Sequence, residues 1–428
     1  MRTLTLDTIL APASIRSAWD KVRNNRGAAG EDAVTIGELE GHFDHHWHGV
    51  ERAIRAGCYS PAPLRPVAIP KPSGGTRKLA IPSVMDRIIQ QAIAAAMSER
   101  WEPAFPECSF AYRPGLGAGQ ALNFAMTAAG DYADPIALRF DIKDFFDTVP
   151  HTLCSGALAA TPCNADLTKL TMLAVAAPLA SALGPSPRSC GIPQGSPLSP
   201  VMANIILLPF DRQLLTLPGH YLRYADDMMV LCHDQAAAAA LLARAEAELA
   251  ALGLRINGGK TSILPLEQAS FLGCGFQFRH GRWVRKLPAA TLLACRQHLM
   301  RLADSAKPTA CLEQFLAQWS AYFLPLPDDR TRHGEFIREM RELFHLGGPS
   351  AASQDHAHSP PQANRPPPGF HYDGSHSSEY SQWGKAAWAG RFFLRRIRFG
   401  LTFRRRGFLP VPSGLRVTIM GHQFHFRL

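Results

Sequence analysis

Negative charge runs out before the chain does. No Asp or Glu follows Glu379, whereas the last 49 residues hold Lys385 and nine arginines, at 391, 395, 396, 398, 404, 405, 406, 416 and 427. The first 379 residues balance at 35 basic against 35 acidic, so the formal net charge of +10 belongs to the tail. A basic patch of that density calls for a polyanionic partner, nucleic acid before membrane. No run reaches the roughly 18 to 20 apolar residues of a membrane helix; LTMLAVAAPLASALG is shorter and interrupted by Pro178. The N-terminus, with Asp7 and no sustained apolar stretch, is not a secretory signal. Nine cysteines, at 58, 108, 154, 163, 190, 232, 274, 295 and 311, form no CxxC. That argues against a cysteine zinc site and a disulfide scaffold and predicts a reducing, cytoplasmic setting. No internal repeat is visible, which argues against a solenoid.

What remains is globular material, 428 residues at 46% hydrophobic, enough for two or three domains. Residues 7–56 read as helical, with a Gly-containing turn at NNRGAAGED. The segment PLRPVAIPKPSGGTRKLAIP predicts a strand, a turn at Ser73-Gly74-Gly75 and a returning strand. In SVMDRIIQQAIAAAMSERW, Ile88, Ile89, Ala92, Ile93 and Ala96 share one helical face. ALRFDI (137–142) and YLRYADDMMVLC (221–232) read as strands, and 234–252 as an alanine-rich packing helix. A helical region spans 288–346. Residues 347–382, rich in Pro, Gly, Ser and His, read as a linker or a segment ordered on binding.

Asp226 and Asp227 raise the chemical question. An Asp-Asp pair is commonly the solvated turn of a surface hairpin. Here Tyr221 to Ala225 and Met228 to Leu231 flank the acids closely, and no Gly or Asn is present to make a turn. Adjacent buried carboxylates raise each other's pKa and cost several kcal/mol unless a cation compensates them. Asp141, at the end of the apolar run Ala137 to Phe140, supplies a third acid. Oxygen-only ligands favour Mg2+ over a soft metal. Asp144 and Asp147, on the following turn, read as solvent-facing or structural. The cluster His42, His45, His46 and His48 reads as a helix surface rather than a metal site. In the tail, Arg395, Arg396, Arg398, Arg404, Arg405 and Arg406 interleave with aromatic residues, a pattern suited to phosphate contacts with base stacking, and equally to a basic strand packed on the body.

Seven blocks stand in one order: RPVAIPKPSGGTRKLAIPSVMDRIIQQAI, SFAYRPGLGAGQAL, FDIKDFFDTV, GIPQGSPLSPVMANIIL, YADD, GLRINGGKTSIL and FLGCGFQF. In these the chain resembles bacterial reverse transcriptases, most closely the branch that includes group II intron-encoded proteins, over residues 20 to 345 or so. The resemblance implies an α+β right-hand polymerase: an N-terminal helical extension (1–58), fingers (59–136), a palm with an antiparallel sheet and packed helices (137–279), a helical thumb (280–346), the linker (347–382) and the basic aromatic tail (383–428). It implies RNA-directed DNA synthesis with two Mg2+ ions held by Asp141 and Asp226, with the backbone carbonyl of Ile142 and a weaker or orienting contact from Asp227. Lys71 and Arg77 would meet the incoming triphosphate. Phe146 would exclude a ribose 2′-hydroxyl, Gln194 and Gly195 would lie beside the nascent base pair, and Lys260 would protonate departing pyrophosphate. FLGCGFQF resembles a primer-grip hairpin.

Implied partners are an RNA template, a DNA or RNA primer, dNTPs and a dedicated non-coding or intron RNA, with no membrane. Implied settings are an intron, phage defence, CRISPR adaptation or a diversity-generating cassette. A rival of another class is an RNA-binding maturase or scaffold that keeps the fold without synthesis. The chain departs from the family pattern in lacking a C-terminal Cys/His nuclease module, in Ala111 where Gly is usual, and in its proline-rich linker.

Overall fold

The computed structural model describes residues 3–70 and 76–302, positions 313–317, 319, 334, 335, 337, 338 and 341, and two short strands, Val417–Ile419 and His422–Phe424. Lys71, the linker and the six tail arginines named above lie outside the described residues.

The N-terminal region holds α1 (Leu6–Leu10), α2 (Pro12–Asn25), α3 (Ile36–Glu40) and α4 (Phe43–Arg55). The hairpin β1 (Arg65–Pro70) and β2 (Thr76–Ile81) leads into α5 (Val84–Trp101). Ser83 caps α5, its Oγ accepting from the Asp86 N–H at 3.0 Å. Ile88, Ile89, Ala92 and Ile93 are buried, as the helical spacing requires, in one core with Ile15, Ala18, Trp19 and Val22 of α2. His42, His45, His46 and His48 are exposed along α4, while Trp47 turns inward.

Next come α6 (Ala118–Ala129), β3 (Ile136–Asp141), α7 (Phe145–Thr148), α8 (His151–Ala159), α9 (Ala165–Ala176) and α10 (Ser199–Leu214). β4 (His220–Tyr224), β5 (Asp227–Cys232), α11 (Gln235–Ala251) and β6 (Ser262–Pro265) follow. The central sheet has the order β4-β5-β3-β6 and is antiparallel throughout. A second sheet joins β7 (Ser270–Phe271), β8 (Cys274–Arg279) and β9 (Arg282–Lys286), and α12 (Ala289–Leu302) begins after it. Among the described residues no helix is long and apolar enough to cross a membrane.

Both faces of the central sheet are covered, which is why its strands lack polar alternation. Leu138, Phe140, Met228 and Val230 enter the core shared with α10 and α11. Ala137, Leu222, Tyr224, Met229 and Leu231 enter the other, shared with α6 and the β7-β8-β9 sheet.

The structure corrects one expectation. Residues 221–232 do not form one strand; they fold back as the β4-β5 hairpin, with Ala225 and Asp226 as its two-residue turn. Ala225 takes φ 60°, and Asp226 does not share the positive angle, the pattern of a type II′ turn. Glycine normally fills that position, because a Cβ there costs roughly 1–2 kcal/mol. Unlike the solvated hairpin tip weighed above, this turn is enclosed: Ala225 is buried and both acids are half-buried.

Candidate active site

Strand register assembles the acidic centre. Asp141 closes β3 directly opposite Asp227, which opens β5, and Asp226 precedes it in the turn. Because side chains alternate along a strand, Asp141 and Arg139 share a sheet face with Asp227. Arg139 lies opposite Met229, diagonal to Asp227, within reach of a long side chain. Its Nη2 and Nε donate to Asp227 Oδ1 at 3.0 and 3.3 Å.

The turn is fastened from behind. On the opposite face of β4, Arg223 is fully buried and donates Nε to Asp211 Oδ1 at 2.7 Å and Nη2 to Asp211 Oδ2 at 2.5 Å. Its Nη1 donates to Asn204 Oδ1 (3.0 Å) and to the Ala225 carbonyl (3.1 Å), and Nη2 also reaches Ser109 Oγ (2.8 Å). The Tyr221 hydroxyl donates to Asp211 at 2.8 Å. Burial pulls the Arg223 pKa down, and the charge and hydrogen bonds of Asp211 more than reverse it. The Ile142 N–H donates to the Asp226 carbonyl at 3.4 Å, tying the turn to the end of β3.

Asp141 is buried and takes the Lys260 ammonium on Oδ2 at 2.5 Å. Asn257 braces it, donating its backbone N–H to the Asp141 carbonyl at 2.8 Å and Nδ2 to Oδ2 at 3.5 Å. Burial holds the Asp141 carboxyl above its ordinary range, against the pull of Lys260. Asp226 is pushed up to about 7, first by burial and then by the charges of Asp141 and Asp227. Among the described residues Asp226 has no ion-pair partner.

No group of three His, Cys, Asp or Glu side chains gathers at metal-binding distance among the described residues. The donor chemistry nevertheless fits a hard cation. All the donors are oxygen, and Asp226 carries a charge that its surroundings penalise. Its neighbours already hold cations of the protein's own, Lys260 on Asp141 and Arg139 on Asp227.

The other expected site residues are placed as follows. Ile142 is buried beside the turn. Phe146 is half-buried on α7, its ring edge-on to Phe145 at 5.4 Å, and its carbonyl accepts from the Ile192 N–H at 2.8 Å. The GIPQG loop is thereby held under α7, and Gln194 Nε2 donates to Asp147 Oδ1 at 3.2 Å. Asp147 thus positions Gln194. Gly195 answers to an internal packing demand: at φ 149°, a Cβ there would lie 2.8 Å from the Ala80 carbonyl oxygen of β2. Gly195→Ala should therefore cost about 1–3 kcal/mol by strain and overpacking, read as a lower urea midpoint with unchanged slope. Arg77 stands opposite Ile69 on β2. Near the acidic centre, burial raises the Tyr112 hydroxyl pKa well above its usual value, the charges of Asp226 and Tyr224 add to the rise, and Arg77 opposes it.

Arg139, Asn257, Tyr112 and the Asp211–Arg223 pair were not expected from sequence. An arginine two residues before Asp141, and another inside the apolar run of β4, were the available signals.

An acidic hairpin turn thus stands in register with an acidic strand end, with Arg139 and Lys260 paired to two of its carboxylates. Residues 69–276 match the family described as "Reverse transcriptase (RNA-dependent DNA polymerase)", and the same stretch is similar to bacterial intron-encoded and retron proteins. It is 30% identical over 214 residues to protein YkfC of Escherichia coli, covering 49% of this chain and 56% of that one. To the group II intron-encoded protein LtrA of Lactococcus lactis it is 26% identical over 210 residues, 49% of this chain and 35% of LtrA. To the retron Mx65 reverse transcriptase of Myxococcus xanthus it is 29% identical over 209 residues, 46% and 47% respectively. The chain spans about half, or less, of the length of these relatives.

Proposed function

We propose that the chain is an RNA-directed DNA polymerase that extends a primer 3′-hydroxyl with dNTPs on an RNA template. The observation that carries this is the register of Asp141 against the Asp226–Asp227 turn. In this reading residues 59–136 are fingers, 137–279 palm and 280–346 thumb. The linker at 347–382 leads to the tail at 383–428, whose arginines grip a dedicated non-coding or intron RNA. The relatives' names, an intron-encoded protein and a retron enzyme, favour a retroelement setting. Asp141, Asp226 and the Ile142 carbonyl would hold two Mg2+ ions, with Asp227 orienting them. Bound there, such ions lower the pKa of the attacking hydroxyl and stabilise charge on the leaving oxygens.

The chain's own residues do the rest. Lys71 and Arg77, on the fingers hairpin, bind the triphosphate. Gln194, held by Asp147, contacts the nascent pair. Lys260 exchanges Asp141 for the departing pyrophosphate and gives it a proton from Nζ. Phe146 stands beneath the sugar, where its ring leaves no room for a 2′-hydroxyl.

The test is extension of oligo(dT) on poly(rA) with Mg2+, run beside the Phe146→Val variant. Wild type should incorporate dTTP and reject UTP, and Phe146→Val should raise UTP use by roughly 10- to 100-fold, the worth of ~1–3 kcal/mol of steric discrimination. Absence of incorporation with RNA binding intact would point instead to an RNA-binding scaffold.

A further inference from the structure

Two cationic side chains sit on the acidic centre, and they are held very differently. Lys260 reaches Asp141 from a single 3-10 turn after Gly258 and Gly259, and its side chain is 45% exposed. Its contact is one ammonium on one carboxylate oxygen, so it can withdraw into water. Arg139 stands inside β3, hydrogen-bonded on both sides by β5 and β6, with its side chain 19% exposed. Its planar fork places two N–H groups on Asp227 Oδ1. Both residues stand in paired strands of one sheet, so their backbones are fixed relative to each other. One cation is exchangeable and the other is built in.

We propose that Arg139 is a positioning residue: a fixed internal counter-ion that engages Asp227 and keeps its carboxylate out of the divalent-cation shell, leaving Asp141 and Asp226 as the acidic pair that binds the cation. The adjacent acids thereby take separate tasks, Asp226 as ligand and Asp227 as the anchor of the hairpin to β3. This rests on the cation site proposed above. It adds that the site's net charge and ligand count are set from two residues upstream of Asp141.

Mn2+ binding to the metal-free full chain, followed by loss of the free-ion EPR signal, tests it without any turnover. In wild type, Asp141→Asn should weaken binding about 10-fold or more, while Asp227→Asn should change it by no more than about twofold. Arg139→Met should tighten binding by roughly fivefold, since a positive charge is removed and Asp227 is released. In that background Asp227→Asn should weaken binding about 10-fold, and Arg139→Lys should fall between wild type and Arg139→Met. A sheet that was merely destabilised would bind more weakly, the opposite sign. Arg139→Gln, with circular dichroism to confirm folding, serves if the Met variant does not fold. Unchanged or weaker binding in the folded charge-removing variants Arg139→Met and Arg139→Gln overturns the proposal, as does an Asp227→Asn loss in wild type equal to that of Asp141→Asn. Failure of the cation site itself looks different: no saturable Mn2+ binding in wild type, or binding indifferent to Asp141→Asn, removes both readings together.

Discussion

Asp226→Asn should abolish templated incorporation, by about 10^3-fold or more, and at the same time make the cation-free protein more stable at pH 8. The first effect follows from the proposed cation site: losing one arm of such a clamp would remove several kcal/mol of transition-state stabilisation, and every 1.36 kcal/mol is tenfold. The second follows from its pKa. In the folded chain the Asp226 carboxyl is pushed up to about 7 from 3.8, so between these values the folded state holds a proton that the unfolded state has lost. Stability contributed by this group therefore falls as pH rises from about 4 to about 7, and the whole cost is present above that window. The neutral amide of the variant carries no such cost. Thermal unfolding without divalent cation should show wild type and Asp226→Asn close together at pH 4 and apart at pH 8, with the variant higher. Adding Mg2+ or Mn2+ should raise the wild-type midpoint, more at pH 8 than at pH 5.5, and should barely move the variant. Equal incorporation by the two proteins would sink the assignment of Asp226 as a ligand, and parallel pH profiles would sink its electrostatic basis.

The three acids were legible in the sequence because their chemistry is conspicuous: a carboxylate at the end of an apolar strand, and two more inside an apolar run. Helical spacing likewise foretold the buried face of α5, and the paired apolar runs foretold β1 and β2. What escaped the sequence is set by tertiary contacts. The turn at Ala225 and Asp226 carries no glycine or asparagine at its positive-φ position, where alanine is held by the bonds from Arg223 and Ile142 rather than favoured by itself. Gly195 read as an approach to substrate, whereas its lack of a Cβ is explained by Ala80, 115 residues earlier in the chain. Lys260 was expected to meet pyrophosphate, and its contact with Asp141, 119 residues earlier, is set by the fold. Arg139 passed unnoticed because a charge within a strand looks like an exposed position until the register sets it diagonal to Asp227. The tip of the β1-β2 hairpin with Lys71, and the tail arginines, lie outside the described residues.

Arg223→Met should cost about 3–5 kcal/mol, the usual penalty for removing one partner of a buried ion pair. That is a large part of the ~5–15 kcal/mol that holds a typical domain together. The estimate belongs at the upper end of that penalty because the guanidinium serves more than Asp211. Its loss strands the Asp211 carboxylate in a fully buried position where, among the described residues, only Tyr221 still donates to it, and leaves Asn204 Oδ1, Ser109 Oγ and the Ala225 carbonyl short of a donor. Asp211→Asn should cost a similar amount from the other side, as it leaves a buried guanidinium uncompensated. The double variant Arg223→Met with Asp211→Leu removes both charges, and should be markedly more stable than the sum of the single losses predicts, a coupling of at least ~2 kcal/mol. Chemical denaturation of wild type, the two single variants Arg223→Met and Asp211→Leu, and the double variant reads the cycle directly. The double variant also separates stability from activity. If the role of Arg223 is to hold the Ala225 carbonyl, and through it the aim of Asp226, incorporation should stay low even where stability returns, because no apolar side chain can donate to that carbonyl. Recovery of both together would mean that the hairpin turn keeps its shape without the bond from Arg223.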